Sequence, residues 1–492
     1  MTATTTTTLM DPQVWTGKIF NGDWIASTGG EYNVIEPATG ERLGTMGSAS
    51  VEDVRRAAEQ ATEAQREWAR APFDVRARVL RRAGELWEQH AAEVIDWIVR
   101  ESGSAVPKAG FEIHVAANEC YEASAIASRP YGQLLRTEEP RLSLVRRLPV
   151  GVVGVIAPFN APLILSIRSV APALALGNAV LLKPDPRTAV CGGVSLARIF
   201  QEAGLPPGLL HVLPGGVDIG QAVVTEPRVP VISFTGSTLA GRFVAELAGR
   251  YLKRVHLELG GNSALIVLDD VDLDRAAEAG AWGTFFHQGQ ICMATSRHLV
   301  QESIADEYVN RLAAIADKLT VGNPAKEPTA LGPIIDTRQR DKIHALVTGT
   351  VDAGARLAAG GRYEGLFYRP TVLAETKPGM PAYDSEIFGP VAPVTRFSTL
   401  DEAIALASGT EYGLSLGILT SDMMRGLDLA ERIPTGIVHI NDQTVNDEAV
   451  APFGGVAASG TGSRVGGAEW NIDAFTETQW VTMRGEIAQR PL

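Results

Sequence analysis

Cys292 lies in a stretch of sequence that suits a nucleophile. It is one of three cysteines among 492 residues and belongs to FFHQGQICMATSR, in which glycine and glutamine interrupt a predicted helix. Such an interruption presents a side chain at a turn, next to backbone N–H groups that lack helical partners. A thiolate in this position could attack a carbonyl carbon. The alternative is a small buried hydrophobic residue, which is the commoner role of a lone cysteine.

Glu258 and Asn160 follow apolar stretches and could assist that attack. Glu258 lies in HLELGGNSA, where a buried carboxylate would have a raised pKa and could act as a general base. Asn160 lies in APFNAP, at the carboxyl end of a predicted parallel strand, where its amide could donate to an oxyanion. Taken singly, each has an ordinary alternative. Glu258 also fits the surface at a strand edge, and Asn160 also fits a turn.

Two further segments lie where a ligand could bind. SFTGSTLAG ends a predicted strand and opens a helix with Gly236, Ser237 and Gly241. The backbone donors and the positive end of that helix suit a phosphate, although the GxxxxG spacing is not GxGxxG. Lys183 ends another predicted strand in LLKPDP and equally fits a surface lysine whose ammonium group stays in water.

The elements that position these residues are predicted to form two α/β domains. From residue 151 onward, apolar strands bounded by Gly and Pro alternate with helices, which is typical of a parallel sheet covered on both faces. A second run of the same alternation starts at NSALIVLDD, and residues 51–129 are mainly helical in pattern. We therefore predict two doubly wound, Rossmann-like α/β domains, one from residues 1–130 with 150–258 and one from residues 259–460.

Two segments fit neither domain. Residues 134–149 resemble a hairpin, and TQWVTMRGEI near the C-terminus alternates like an edge strand. Because unpaired edge strands promote association, we expect residues 131–149 and 470–492 to form a small β oligomerisation element that pairs with another subunit. The predicted assembly is a homodimer or a homotetramer.

The composition excludes several classes of partner. The 44 basic and 57 acidic residues give a net charge of -13, which disfavours nucleic acid and anionic membrane surfaces. The three cysteines show neither a disulfide framework nor zinc-ligand spacing, so no metal site is predicted. The N-terminal segment MTATTTTTLMDPQ lacks a signal-peptide pattern and is predicted to be a short disordered tail. We expect a cytoplasmic protein.

Taken together, these motifs resemble the NAD(P)-dependent aldehyde dehydrogenase superfamily over about residues 20–485. The Cys292 motif, the Glu258 motif and PFGG at residues 452–455 are specific in combination. The resemblance implies that Cys292 is the nucleophile and Glu258 the general base. It also implies that Asn160 is the side-chain donor of the oxyanion hole.

The same resemblance implies a nicotinamide cofactor, bound by the first domain, with catalysis in the second. Lys183 matches the residue that binds the adenosine ribose, and Ser237 matches one near the pyrophosphate. Glu386 and Phe388, in DSEIFGPVAPV, match residues that hold the nicotinamide ribose, although that segment equally fits an acidic turn. The predicted cofactor-binding residues are Phe159, Lys183, Gly236, Ser237, Gly241, Glu386 and Phe388.

Two departures from the family pattern affect these expectations. Many NAD-preferring relatives have Glu three residues after the lysine, to bind the ribose 2′-hydroxyl and repel a 2′-phosphate. This chain has Pro186 there, followed by Arg187, so NAD is expected and NADP remains possible. Many relatives have Asn at the position of His287, which either packs as an aromatic ring or titrates near neutral pH.

Longer segments resemble the benzaldehyde and vanillin dehydrogenase branch. These segments are FFHQGQICMAT, HLELGGNSALIVLDD and HINDQTVNDEAVAPFGGVAASGTGSR. The resemblance implies oxidation of an aromatic aldehyde to the carboxylic acid through a Cys292 thiohemiacetal and thioester. Arg168, in LILSIRSVAP, either forms a salt bridge or contacts a ring substituent. The predicted apolar slot for the ring comprises Ala161, Leu165, Arg168, Ile291, Met293 and Val445.

Other functions remain open at this point. The substrate could be salicylaldehyde or an aliphatic aldehyde. A CoA-acylating dehydrogenase would use the same cysteine, but the Glu258 base favours water as the second nucleophile. A non-catalytic binding protein would have little need of Cys292, Glu258 and Asn160 together.

Overall fold

Two sheets of seven strands each organise residues 8–129 and 131–489, the part of the chain that the computed structural model describes. In the first sheet, five strands run parallel, and the two strands nearest the N-terminus form an antiparallel extension at one edge. Its Val, Ile and Leu-rich central strands are buried throughout, as a helix-covered parallel sheet requires. In order across the sheet, the strands are Arg254–Glu258, Val231–Thr235, Val152–Ile156, Ala179–Lys183, Leu210–Val212, Lys18–Asn21 and Trp24–Ala26.

The second sheet follows after residues 259–262 and repeats this architecture. Six of its strands run parallel, and one edge strand is antiparallel. The prediction of two Rossmann-like α/β units is confirmed, although the sequence analysis assigned no elements to residues 320–380. In order, the strands are Arg356–Ala359, Thr371–Ala374, Val391–Phe397, Thr295–Gln301, Ser263–Val267, Ser415–Leu419 and Ile437–Ile440.

Helices pack against both sheets, and several begin at residues that cap them. Ser50 and Asp53 form a capping box, in which each side chain accepts the backbone N–H of the other residue. Asp272 caps the helix that leads toward Cys292. Within the described residues, the helices of eight or more residues are Val51–Arg70, Phe73–Gln89, Ala91–Ser102, Val106–Ile126, Pro162–Ala175, Ser195–Glu202, Val217–Thr225, Thr238–Arg250, Leu273–Phe285, Ala305–Lys318, Thr337–Asp352, Leu400–Ser408, Met423–Glu431 and Ala468–Phe475.

The predicted hairpin and the predicted C-terminal strand form a sheet with each other. Thr476–Met483 pairs antiparallel with Leu142–Pro149, which also pairs with Gly132–Leu134. The premise that these segments lack strand partners within the chain is therefore wrong, whereas the expectation that they pair with another subunit stays a prediction. Leu134 and Trp480 are nonetheless exposed on this three-stranded sheet.

Short strands complete the described structure. The predicted strands around the Thr-Gly turn near residue 40 form an antiparallel hairpin. Most of the predicted N-terminal tail, residues 1–7, lies outside the described residues. The short pairs are Glu31–Ile35 with Arg42–Gly47, Tyr363–Glu364 with Phe367–Tyr368, and Tyr412–Gly413 with Val456–Ala457.

The strand order brings several chain segments to one edge of the first sheet. The strands Val152–Ile156 and Val231–Thr235 are neighbours, but the chain continues from each of them toward opposite edges of the sheet. A crevice therefore opens between the carboxyl ends of these two strands. Asn160 follows the first of these strands, and Glu258 ends the next strand beyond the second. Cys292 immediately precedes a strand of the second sheet and borders the same cavities as Asn160.

Candidate active site

Cys292 lies on a turn between a helix and a buried strand. The helix Leu273–Phe285 is followed by a short 3-10 segment in which His287 and Gln288 have left-handed backbone angles, with φ of 50° and 55°. These angles end the helix and turn the chain before Cys292, as the glycine and glutamine pattern predicted. The Cys292 thiol is partly exposed, whereas the other two cysteines are buried. Only Cys292 among the three is therefore placed to meet a ligand.

Two glutamine side chains fix this turn to neighbouring segments. Gln288 Nε2 donates to the carbonyl oxygens of Gly103 and Pro333 at 3.0 and 2.9 Å. Gln290 Oε1 accepts the backbone N–H of Ile335 at 3.1 Å. Both glutamines are buried, so these bonds are shielded from water. The sequence analysis treated them only as helix breakers, but they also position the turn that carries the thiol.

Glu258 ends the strand Arg254–Glu258 and is 6% exposed. Burial raises the pKa of its carboxyl group well above the ordinary value, and nearby Arg168 opposes this shift. Neither carboxyl oxygen has a well-aligned hydrogen bond within the described residues, although the Gly455 backbone N–H is close enough to oppose the pKa shift. Gly454 preserves space beside the carboxyl group, because a Cβ there would lie 2.8 Å from Glu258 Oε1. A buried carboxyl group with open oxygens can act as a general base toward a ligand or a water molecule.

Asn160 is held by a buried ion pair that the sequence analysis missed. Lys108 Nζ donates to the Asn160 carbonyl oxygen at 2.7 Å and pairs with Glu112. Glu112 Oε2 accepts the backbone N–H of Leu163 at 3.0 Å. The pair spans one turn of the helix Val106–Ile126, so two opposite charges four residues apart were the available signal. The backbone on both sides of Asn160 is thereby fixed.

A cavity of about 330 Å³ adjoins Cys292. Its wall is mainly apolar, and Trp282 and Phe286 stack within it with their ring centroids 4.5 Å apart. This volume lies in the range of small-molecule sites and accommodates a substituted aromatic ring. All six residues that the sequence suggested for a ring slot border this cavity: Ala161, Leu165, Arg168, Ile291, Met293 and Val445.

A second cavity, of about 150 Å³, meets the first at Cys292, Asn160 and Leu165. Glu386 Oε1, at its wall, accepts the backbone N–H of Gly261 at 3.0 Å. A group in the second cavity would therefore lie next to a group held in the first. Five of the seven residues suggested for cofactor binding border the second cavity: Phe159, Gly236, Ser237, Glu386 and Phe388.

Lys183 and Gly241 are not among the residues that border the second cavity. Lys183 ends the strand Ala179–Lys183, and burial lowers the pKa of its ammonium group. The Gly241 N–H donates to the Ser237 carbonyl at 2.9 Å within the first helical turn, so it is not a donor for a phosphate. A Cβ at Gly241 would lie 2.2 Å from Leu259. Close packing of the helix against Leu259 explains this glycine.

The polar groups of the second cavity suit a dinucleotide. Ser237 caps the helix Thr238–Arg250, whose positive end suits a phosphate. The Glu386 carboxyl group can accept ribose hydroxyls, and the Lys183 ammonium group lies at the end of a neighbouring strand. These residues fit a nicotinamide dinucleotide.

Arg187 is already engaged by side chains of the protein. Its guanidinium group bonds Asp185 and lies 2.7 Å from Asp336 Oδ2. It also lies over the ring of Phe159, 4.1 Å from the centroid. Two carboxylates therefore neutralise the cation that the sequence suggested for a 2′-phosphate.

His287 is a buried, neutral ring. Its Nδ1 lies 3.4 Å from Ser104 Oγ, at the limit of a hydrogen bond. Burial, assisted by the charge of Lys108, lowers the pKa of His287 well below its ordinary value. Of the two alternatives drawn from the sequence, burial of the ring and its lowered pKa favour packing over titration near neutral pH.

No group of three or more His, Cys, Asp or Glu side chains in residues 8–129 and 131–489 could hold a metal ion. None of the helices described there combines the length and apolar composition that a membrane crossing requires.

Comparison with known proteins agrees with the motifs and the geometry. Residues 24–481 match the aldehyde dehydrogenase family. The chain belongs to this family. The resemblance drawn from the sequence motifs is therefore confirmed, and the chain is an NAD(P)-dependent aldehyde oxidoreductase with two mainly parallel sheets.

Relatives of this aldehyde dehydrogenase match it over nearly its whole length. A vanillin dehydrogenase of Amycolatopsis sp. is 68% identical over 482 residues, which cover 98% of this chain and 99% of the relative. A benzaldehyde dehydrogenase (NAD+) of Pseudomonas putida is 50% identical, with coverage of 97% and 98%. The crystal structure of a salicylaldehyde dehydrogenase from Pseudomonas putida G7 complexed with salicylaldehyde aligns with a TM-score of 0.93 at 36% identity, with coverage of 96% and 99%.

Proposed function

We propose that this aldehyde dehydrogenase oxidises aromatic aldehydes of the benzaldehyde and vanillin type to carboxylic acids. The observation that carries the proposal is the apolar cavity beside Cys292, in which Trp282 and Phe286 stack. A flat ring that enters this cavity gains apolar burial and ring contacts that a short aliphatic chain does not. The similarity to vanillin, benzaldehyde and salicylaldehyde dehydrogenases supports the same substrate class.

Cys292 is the nucleophile in the proposed mechanism. Burial and nearby Glu386 and Glu258 raise the pKa of its thiol, and the thiol proton passes to water in the adjoining cavity as the sulfur reacts. The sulfur adds to the carbonyl carbon, and the carbonyl π electrons pass to oxygen as the oxyanion of a thiohemiacetal. Asn160 borders both cavities where they meet, and its side-chain amide donates to this oxyanion.

Glu258 acts in the second half of the reaction. Ser237, Glu386 and Phe388 would hold a nicotinamide cofactor in the second cavity, where it would supply the acceptor for the hydride of the carbonyl carbon. A thioester then remains on Cys292. Glu258 accepts a proton from water as the water oxygen attacks the thioester carbon, and the C–S bond breaks to release the acid.

Replacing Asn160 by Ala is expected to lower kcat/KM for benzaldehyde about 100- to 1000-fold, since one oxyanion donor contributes that much. The measurement is initial-rate kinetics with saturating cofactor. Asn118→Ala is the matched control, because this amide pairs with His114 at the exposed face of another helix. The control should retain the wild-type rate. An Asn160→Ala enzyme with near wild-type kcat/KM would contradict the assignment of Asn160.

NAD is the cofactor that we propose, rather than NADP. Arg187 lies between Asp185 and Asp336, so a 2′-phosphate near this position would meet two carboxylates and an already paired cation. The similarity to a benzaldehyde dehydrogenase (NAD+) supports the same choice.

The proposed assembly is a homodimer or homotetramer, in the cytoplasm. The exposed Leu134 and Trp480 on the three-stranded sheet support self-association through this face. The absence of any disulfide among the three cysteines supports a reducing compartment.

One set of assays tests the proposed function. The absorbance of reduced cofactor is followed with benzaldehyde, vanillin, salicylaldehyde and propanal, each with NAD and with NADP. We expect kcat/KM for the best aromatic aldehyde to exceed that for propanal by about tenfold or more, because the buried ring adds at least ~1.4 kcal/mol. We also expect NAD to be preferred. A preference for propanal would contradict the aromatic assignment and leave the Cys292 mechanism intact.

The same assays distinguish a CoA-acylating enzyme. Added CoA should leave both the rate and the carboxylic acid product unchanged, because water is the second nucleophile in the proposed mechanism. An acyl-CoA product would overturn the role of Glu258 as the base for water.

A further inference from the structure

Arg168 is a buried cation in the wall of the larger cavity. It lies on the helix Pro162–Ala175 and is 3% exposed. Its Nε lies 3.4 Å from Glu119 Oε1, and its Nη2 donates to Asp447. The guanidinium carbon lies 4.5 Å from the centroid of the Phe453 ring. Arg168 therefore forms the salt bridge that the sequence suggested and also borders the cavity, where it could contact a ring substituent.

One nitrogen of the Arg168 guanidinium group, the buried Nη1, has no hydrogen-bond partner within the described residues. An unpaired buried donor on a charged group is costly, so such a group commonly has a partner that arrives with a ligand or water. The two carboxylates and the Phe453 ring hold the guanidinium plane in place before any ligand binds.

The other charged or amide side chains of the cavity wall have different contacts, and among them Asn446 Oδ1 accepts the backbone N–H of Asp447. Lys108 is paired with Glu112 and bonds the Asn160 carbonyl oxygen. The Asn160 side chain is assigned to the oxyanion. Asp447, whose side chain is 9% exposed, borders the cavity beside Arg168. Arg168 and Asp447 thus present a donor and an acceptor together, which is the complement of a hydroxyl group.

We propose that Arg168 binds an oxygen substituent on the aromatic ring of the substrate, a phenolic hydroxyl group or its phenolate, through Nη1. Asp447 accepts the hydroxyl hydrogen when the phenol is neutral. The inference rests on the proposed oxidation of aromatic aldehydes and narrows the substrate class to hydroxylated benzaldehydes. Such phenols are acidic where the ring conjugates their charge with the aldehyde, and a cation favours their ionised form.

The charge balance around Arg168 is consistent with this ligand. Burial raises the pKa of Glu119 to about 7, against the opposing charge of Arg168. The raised pKa weakens the hold of the Glu119 carboxylate on Arg168. Because Asp447 still pairs with the guanidinium group, Arg168 acts on the ligand as a charged hydrogen-bond donor rather than as an unpaired cation.

Arg168→Leu tests the inference through a ratio of substrates. We would measure kcat/KM for the three hydroxybenzaldehyde isomers and for the three methylbenzaldehyde isomers of matching shape. The ratio of hydroxyl to methyl substrate should fall about 10- to 100-fold for at least one isomer pair, as expected for the loss of a hydrogen bond to a charged group. The isomer most affected identifies the ring position that faces Arg168.

The ratio separates recognition from general damage. Loss of Arg168 leaves Glu119 and Asp447 without their cation and also removes a charge that acts on Cys292 and Glu258. These effects lower the rate for hydroxyl and methyl substrates alike, so they cancel in the ratio. An equal loss for all six substrates would show that Arg168 is only structural and would overturn the inference.

Two further variants keep the test decisive. Glu119→Gln removes one partner of Arg168 but retains Nη1, so its substrate ratio should stay within about threefold of wild type. If Arg168→Leu does not fold, Arg168→Lys replaces it, because an ammonium group cannot bond both carboxylates and keep the third donor in place. A Lys variant with the wild-type ratio would also overturn the inference. A wild-type enzyme that oxidises no aromatic aldehyde would instead refute the proposed function itself.

Discussion

Cys292→Ala is expected to abolish aldehyde oxidation, with a fall in turnover of about 10⁴-fold or more. Covalent addition divides a difficult hydride transfer into two easier steps, and Cys292 is the only thiol among the described residues that border the two cavities. The turn that carries Cys292 is fixed by Gln288 and Gln290, so the substitution removes the sulfur and leaves the backbone supported. The variant should therefore fold normally and fail only in chemistry.

Cys120→Ala is the matched control for this experiment. Cys120 is fully buried on the helix Val106–Ile126, away from both cavities. Its loss should cost about 1 kcal/mol of stability or less and leave kcat unchanged. Both variants are measured by steady-state turnover and by thermal unfolding. A Cys292→Ala enzyme that retains more than a small fraction of the activity would return Cys292 to the role of a buried hydrophobic residue.

The architecture could be predicted because its local signals agree with one another. Uninterrupted apolar strands such as Val152–Ile156 and Ser263–Val267 indicate parallel sheets buried on both faces, and turn residues separate them from helices. The partner of an edge strand has no such local signal. Thr476–Met483 and Leu142–Pro149 are far apart in sequence, and nothing in either segment specifies the other as its partner. Their pairing within the chain therefore emerged only from the structure.

The long-range contacts of the candidate active site likewise have no local signal in the sequence. Cys292, Glu258 and Asn160 could be predicted because their motifs are specific in combination, although each has an ordinary alternative when taken singly. Lys108 was not predicted, since its contact with the Asn160 backbone joins residues 52 positions apart. The ion pair of Arg187 with Asp336 also joins residues far apart in the sequence, so the sequence left the choice between NAD and NADP open. Motifs identify reacting groups, whereas the contacts that position them depend on tertiary structure.

Glu258→Gln should separate the two halves of the reaction. The amide keeps nearly the same shape but cannot accept a proton, so hydride transfer can proceed while thioester hydrolysis is slowed. We expect a rapid burst of reduced cofactor stoichiometric with the subunits, followed by steady-state turnover about 100-fold or more below wild type. Stopped-flow absorbance measures both phases. Glu246→Gln, which removes an exposed carboxylate paired with Arg250, is the control and should keep both phases.

The pH dependence gives an independent test of the Glu258 assignment. Burial raises the pKa of Glu258, and hydrolysis needs its carboxylate form, so steady-state turnover of the wild type should fall as pH drops through this raised value. The midpoint should lie above the ordinary range of an exposed glutamate, and this limb should disappear in Glu258→Gln. Loss of the burst together with turnover would show that Glu258 acts before the thioester forms, for instance by accepting the proton of the Cys292 thiol. Burial also raises the pKa of that thiol, so its proton needs an acceptor. If Glu258 were that acceptor, the burst rate and the hydrolysis rate should fall with pH at the same midpoint. If two different bases act, the two rates should have different midpoints.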